Sequence, residues 1–223
     1  MSKLSGRATA EAIGTFALIY FGCGAVLARP LTSGSSTGLI GIALAHAIVL
    51  GVMITCTMNV SGGHINPAVT LGLWSIGKVD GRTAGAYVSA QLAGGVLGAL
   101  FLKLTLPASL ATGTLGTPAL ATNVSFISAI GLEAVFTFFL MFAVMGTAVA
   151  PQAPKVGGFA IGLVLYFDIM VGGTLTGAAM NPARAFGPAL VSATWYAQPV
   201  WWIGPILGAV LAAQAWQRVV AKG

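Results

Sequence analysis

The residues able to do chemistry are few, and most of them stand in or beside one phrase that occurs twice. The first copy runs Ser61-Gly62-Gly63-His64-Ile65-Asn66-Pro67-Ala68-Val69-Thr70, and the second runs Thr176-Gly177-Ala178-Ala179-Met180-Asn181-Pro182-Ala183-Arg184. Each has small residues, then Asn-Pro-Ala, then a short apolar run. Asn is a favoured helix N-cap, and Pro at the first helical position lacks an N–H that the helix has no use for. Asn66, Pro67 and Ala68, like Asn181, Pro182 and Ala183, therefore read as helix starts, with unpaired N–H donors and a partial positive charge. Their chemistry is hydrogen-bond donation to a neutral oxygen, together with rejection of cations. Bond making is not indicated. The chain has only 4 acids, and no nucleophile, base and acid stand together. Its 2 histidines have no neighbouring Cys or acid, so neither a metal site nor an enzyme is expected.

Composition fixes the setting in which those helix starts must work. The chain of 223 residues is 57% hydrophobic and 6% charged, with a mean hydropathy of +0.94. Soluble domains carry about 25% charged residues. There are too few charges to cover a water-facing surface, so the partner is the lipid bilayer. The net charge of +6 fits basic membrane-facing loops, and no cluster of basic and aromatic residues points to nucleic acid. Cys23 and Cys56 lie inside apolar runs and read as packing residues. Lys3 and Arg7 before an apolar run resemble a signal peptide, but the segment recurs later in the chain as a span.

A helix needs roughly 20 apolar residues to cross the hydrocarbon core. Six runs qualify, at about 9–28, 38–59, 84–105, 126–149, 156–175 and 198–219. Two shorter runs, about 67–76 and 182–192, each begin at Asn-Pro-Ala and fit re-entrant half-helices. The fold expected is an all-α membrane protein of six transmembrane helices plus two half-helices, in one domain. Its halves, about 1–115 and 122–223, match: Glu11-Ala12-Ile13 parallels Glu133-Ala134-Val135, and Leu92-Ala93-Gly94 parallels Ile206-Leu207-Gly208. Three spans per half require the second half to enter from the opposite side, as an inverted repeat. With both termini cytoplasmic, Lys3, Arg7, Lys78, Arg82, Lys155, Arg218 and Lys222 lie inside, and Arg29, Lys103 and Arg184 lie outside. The two caps then meet near the midplane, with Asn66 and Asn181 directing amides into one path.

Two Asn-Pro-Ala boxes, the second followed by Arg184, within six spans and an inverted repeat resemble the aquaporin family of major intrinsic proteins. The resemblance implies a passive pore in each protomer, a homotetramer and no cofactor. It also implies a second, outer constriction at four positions, which fall here on His46, Ile169, Ala178 and Arg184. That set is similar to plant tonoplast intrinsic proteins, whereas the short termini and the Ala153-Pro154-Lys155 loop look prokaryotic. The expectation is a water channel in the plasma membrane of a prokaryote that excludes protons and ions. Ammonia, urea and hydrogen peroxide are candidate further solutes. Glycerol facilitators of the family carry Asp after the Arg and a basic residue four positions on. Ala185 and Ala189 stand there instead, which argues against the alternative, a glycerol or small-polyol facilitator. More distant readings are a closed junction-like structural member and an ion-coupled transporter with a broken-helix site.

Individual residues carry further expectations. His46 would donate one ring N–H to the permeant while a neighbour fixes its other nitrogen, and its titration would make flux pH-dependent. His64 either shapes the first loop or lines the pore. Glu11 and Glu133, in matching positions, would accept hydrogen bonds from loop N–H groups that hold the half-helices. Asp168, beside Ile169, either polarises His46 or Arg184 or faces another helix. Trp195, Tyr196, Trp201 and Trp202 read as interfacial anchors and packing.

Overall fold

The computed structural model describes residues 3–28, 38–111, 113–154 and 156–219, so Arg29, Lys155 and Lys222 of the charge count lie outside the described residues. Eight helices follow one another: α1 (Leu4–Ala28), α2 (Gly38–Ser61), α3 (Pro67–Ser75), α4 (Gly81–Thr105), α5 (Phe126–Val144, continued by a π-helical turn Met145–Val149), α6 (Gly157–Gly172), α7 (Pro182–Ser192) and α8 (Val200–Arg218). This is the six-span architecture with two half-helices. α3 has 9 residues and α7 has 11, about 14–17 Å at 1.5 Å per residue, roughly half of the 30 Å hydrocarbon core.

The spans are less uniform than the hydropathy pattern suggests. α1, α2, α4 and α5 with its π turn are each long and apolar enough to cross a bilayer alone. α6, expected over about 156–175, keeps 16 helical residues. Gly157 takes a left-handed φ of 46° at its start, and the chain leaves the helix in turns after Gly172. α8 is diluted by Gln214, Gln217 and three tryptophans. α6 is thus apolar but short, and α8 is long but more polar.

That packing follows the repeat. α1 lies against α4 and α5 against α8, while α2 and α6 pair across the two halves. α3 packs on α8 and α7 on α4, so each half-helix rests on the last span of the other half. Glycine permits the closest crossings: Gly94 sits on the Ala12 carbonyl, and its repeat mate Gly208 on the Ala134 carbonyl, with no room for a Cβ at either. Outside, Ile13, Phe21, Ile48, Phe139, Leu163 and Leu207 are exposed, an apolar girdle suited to lipid tails.

Asp80 caps α4, accepting from Thr83 N at 2.9 Å and Thr83 Oγ1 at 2.7 Å. The Thr83 side chain and backbone hold its carboxyl below the usual carboxylate range. The stabilisation is therefore present above the ordinary aspartate value of about 3.9 and is lost as pH falls through the lower folded value. Asp80→Ala is expected to lower the melting temperature at neutral pH, with the difference from the parent shrinking as thermal melts are repeated towards pH 3.

Candidate functional site

The two Asn-Pro-Ala boxes meet, and each braces the other. Asn66 (φ −152°) caps α3, its Oδ1 accepting from Ala68 N at 2.8 Å. Asn181 (φ −149°) caps α7, accepting from Ala183 N at 3.0 Å and Arg184 N at 3.3 Å. Asn66 Nδ2 donates to Met180 O at 2.8 Å, and Asn181 Nδ2 donates to Ile65 O at 3.0 Å. Ile65 (φ 55°) and Met180 (φ 52°) are the left-handed residues that turn each loop into its helix. Such a φ disfavours non-glycine residues, most of all a β-branched one, and the opposite asparagine holds each turn by its carbonyl. Each amide keeps its second N–H for another acceptor.

Two buried carboxylates hold the loops from behind. Glu11 Oε1 accepts from Ser61 Oγ (2.6 Å) and His64 N (3.0 Å), and Oε2 from Ile65 N (2.5 Å) and Gln91 Nε2 (2.8 Å). Glu133 repeats the pattern with Thr176 Oγ1 (2.7 Å) and Ala179 N (3.0 Å) on Oε1 and Met180 N (2.7 Å) on Oε2. Ser61 matches Thr176, His64 matches Ala179 and Ile65 matches Met180, the same repeat read in hydrogen bonds. Trp201, fully buried rather than interfacial, adds Nε1 to Thr176 O at 2.9 Å. Trp195 and Tyr196 are exposed.

His64 is among the residues lining a cavity between the boxes, and its Nδ1 lies 3.0 Å from Thr70 Oγ1. Gln91 Nε2 also donates to Thr70 Oγ1 at 3.0 Å, so Gln91 joins Glu11 to the His64 pair. Tyr87 packs edge-on against the His64 ring, donates to Ser61 O at 2.7 Å and accepts from Arg7 Nε at 2.8 Å.

A narrow cavity runs past Asn66, Asn181 and His64 and along an aliphatic wall that includes Leu50, Leu140 and Leu165. It offers about 20 Å³ to the centre of a water molecule, against the 10–15 Å³ that one water needs. A wider cavity of about 410 Å³ opens beyond it. His46, Ile169 and Arg184 line both, so the two join at these side chains. Ala178 lines the narrow one there, at a left-handed φ of 41°. The four outer-constriction positions are thus brought together. Arg184 Nη1 donates to Gly116 O at 2.7 Å, so the loop after α4 aims the guanidinium.

His46 differs from expectation in its polarity. Nδ1 lies 2.8 Å from Ile42 O, and a carbonyl only accepts, so Nδ1 carries the proton. Among the described residues Nε2 has no hydrogen-bond partner, and in the neutral ring it carries a lone pair, an acceptor where a donor is expected. Gly22 makes room for it: a Cβ there would sit 2.7 Å from Nε2 and Cδ2. Gly22→Ala is expected to push the ring into the junction and cut water permeability roughly fivefold, about 1 kcal/mol of barrier, measured by stopped-flow light scattering on proteoliposomes.

Comparison with known proteins decides the family. The family model described as major intrinsic protein matches residues 1–216. The chain belongs to the major intrinsic proteins. It is 39% identical to aquaporin AqpM of Methanothermobacter marburgensis over the whole of both chains. It is 43% identical to aquaporin TIP4-4 of Zea mays, over 91% of this chain and 82% of that one. A solved structure, the aquaglyceroporin from Plasmodium falciparum, superposes with a TM-score of 0.86 at 23% identity, covering 99% of this chain and 98% of that one; at that identity the likeness concerns the fold.

Within this major intrinsic protein, Asp168 stands apart from the outer-constriction side chains. It is buried, but among the described residues it makes no hydrogen bond to His46 or Arg184, and its Oδ2 has no partner. It lines neither cavity described above. Gln91, Tyr87, Gly22 and Gly116 were not singled out from the sequence. The signal for the first two was a Tyr and a Gln one turn apart inside an apolar span; the two glycines gave none.

Proposed function

We propose that this integral, multi-pass membrane protein of the aquaporin family is a passive water channel that rejects protons and ions. What carries the reading is the meeting of the two caps, with an amide N–H to spare on each asparagine. Two helix N-termini, each worth about half a positive charge, meet beside a passage of water's width. A water oxygen can take hydrogen bonds from Asn66 and Asn181, while a cation meets positive potential from both sides. Asn66, Pro67, Ala68, Asn181, Pro182 and Ala183 form this centre. His46, Ile169, Ala178 and Arg184 act as the filter, with Arg184 donating, His46 accepting and Ile169 supplying an apolar wall.

Ammonia, urea and hydrogen peroxide are small neutral solutes that can both donate and accept there, and they are the secondary substrates of this reading. Glycerol passage is disfavoured because Ala185 and Ala189, where the facilitator branch carries Asp and a basic residue, are fully buried. The chain works as one domain of two repeat halves, about 1–115 and 122–223. It assembles as a homotetramer in a prokaryotic cell membrane with both termini cytoplasmic. Stopped-flow measurement of water, ammonia, urea and glycerol in proteoliposomes tests the reading. Water far above glycerol supports it, and glycerol rivalling water overturns it.

A further inference from the structure

The chain has 4 acids. Glu11, Glu133 and Asp168 are buried, with relative exposures of 0%, 0% and 3%. Asp80 is therefore the one acid at the surface, and Thr83 engages its carboxylate from two donors. Three exposed cations stand on this stretch and on the elements packed beside it. Lys78 stands on the turn that ends α3, where Gly77 N donates to Trp74 O at 3.0 Å and Lys78 N to Leu73 O at 3.0 Å. Arg82 lies in the first turn of α4. Arg218 ends α8, one turn beyond Gln214, whose Nε2 donates to Ser75 O at 3.0 Å and so ties that helix end to the same turn.

Trp74 lies among them, 52% exposed although its helix is mostly buried. Its indole Nε1 faces the start of α4, 3.6 Å from where a Gly81 Cβ would be. An exposed indole at a helix end with its N–H toward a basic loop suits the depth where lipid tails give way to headgroups. Basic residues at that depth attract anionic headgroups, and the protein supplies only Asp80 to oppose them.

We propose that Trp74, Lys78, Arg82 and Arg218 form a docking site for an anionic phospholipid, with the headgroup phosphate among the three cations and the glycerol backbone against the indole. The hydrogen bonds of the turn and the Gln214–Ser75 bond fix the backbone from which Lys78 and Arg218 project.

The test is native mass spectrometry of the purified channel with phosphatidylglycerol and, separately, phosphatidylcholine. Retained lipid is counted for the parent, for Lys78→Gln with Arg82→Gln, for Trp74→Leu, and for Lys103→Gln at the far end of α4. The parent is expected to retain phosphatidylglycerol preferentially. That preference falls about fivefold for each cation removed at the site and stays unchanged in Lys103→Gln, while water flux persists in every variant. Equal retention of the two lipids by the parent overturns the proposal, as does an equal loss in Lys103→Gln. A binding defect accompanied by lost water flux is checked with Lys78→Arg, which must restore retention if the charge is what matters.

Discussion

Arg184→Ala is expected to raise glycerol permeability by roughly an order of magnitude relative to water, a gain of about 1.4 kcal/mol, and to open a proton leak. Two effects act together. Arg184 lines both the narrow and the wide cavity and its guanidinium is held by Gly116 O, so truncating the side chain is expected to widen the passage. It is also a fixed positive charge. Two like charges 4 Å apart at an effective dielectric of 20 repel by about 4 kcal/mol, near three decades in crossing rate. A neutral solute feels only the first effect. The leak stays partial because the caps at Asn66 and Asn181 remain. Glycerol and water flux, with an internal pH dye for protons, read both; an unchanged glycerol-to-water ratio would remove Arg184 from the filter.

Glu133→Leu is expected to abolish the folded channel. The substitution leaves Ala179 N, Met180 N and Thr176 Oγ1 without their acceptor in a buried site. An unsatisfied buried donor costs about 1–3 kcal/mol, so three cost on the order of 3–9 kcal/mol, against a total stability of about 5–15 kcal/mol for typical proteins. Glu133→Gln keeps one acceptor oxygen but turns an NH2 toward a donor, and an intermediate loss is expected. Glu11→Leu strands four donors, including Gln91 Nε2. Yield and melting temperature by size-exclusion chromatography and thermal melts should rank the parent first, then Glu133→Gln, then Glu133→Leu. A melting temperature for Glu133→Leu equal to the parent's would show that the carboxylate does not hold the second loop.

What was legible in the sequence was whatever depends on residue type and period. Six apolar runs, two half-length ones and a repeated Asn-Pro-Ala are enough to place α3 and α7 and their caps. Arg184 could be placed because it directly follows a box, and Ala178 because it lies three residues before Asn181. The far end of α6 was placed about three residues late because apolar residues continue beyond the helix, and hydropathy does not see the backbone turning after Gly172. The direction of the His46 hydrogen bond was also hidden. It depends on which ring nitrogen meets Ile42 O, a matter of rotamer rather than of residue type. Gly22 and Gly116 escaped notice because what matters there is the absence of a side chain near another segment, which only the assembled helices reveal. Asp168 stayed open between tuning the filter and facing another helix, because a residue next to Ile169 points about 100° away from it and only the packed helices show what lies there.

The central claim is that one passage admits water and refuses the proton. Water efflux and internal pH recorded together on the same proteoliposomes, under an osmotic step and an imposed pH gradient, test it most directly. Rapid shrinkage well above that of protein-free vesicles is expected, with internal pH decaying no faster than in those vesicles. Shrinkage no faster than in protein-free vesicles, or a pH gradient that collapses as water leaves, would contradict it.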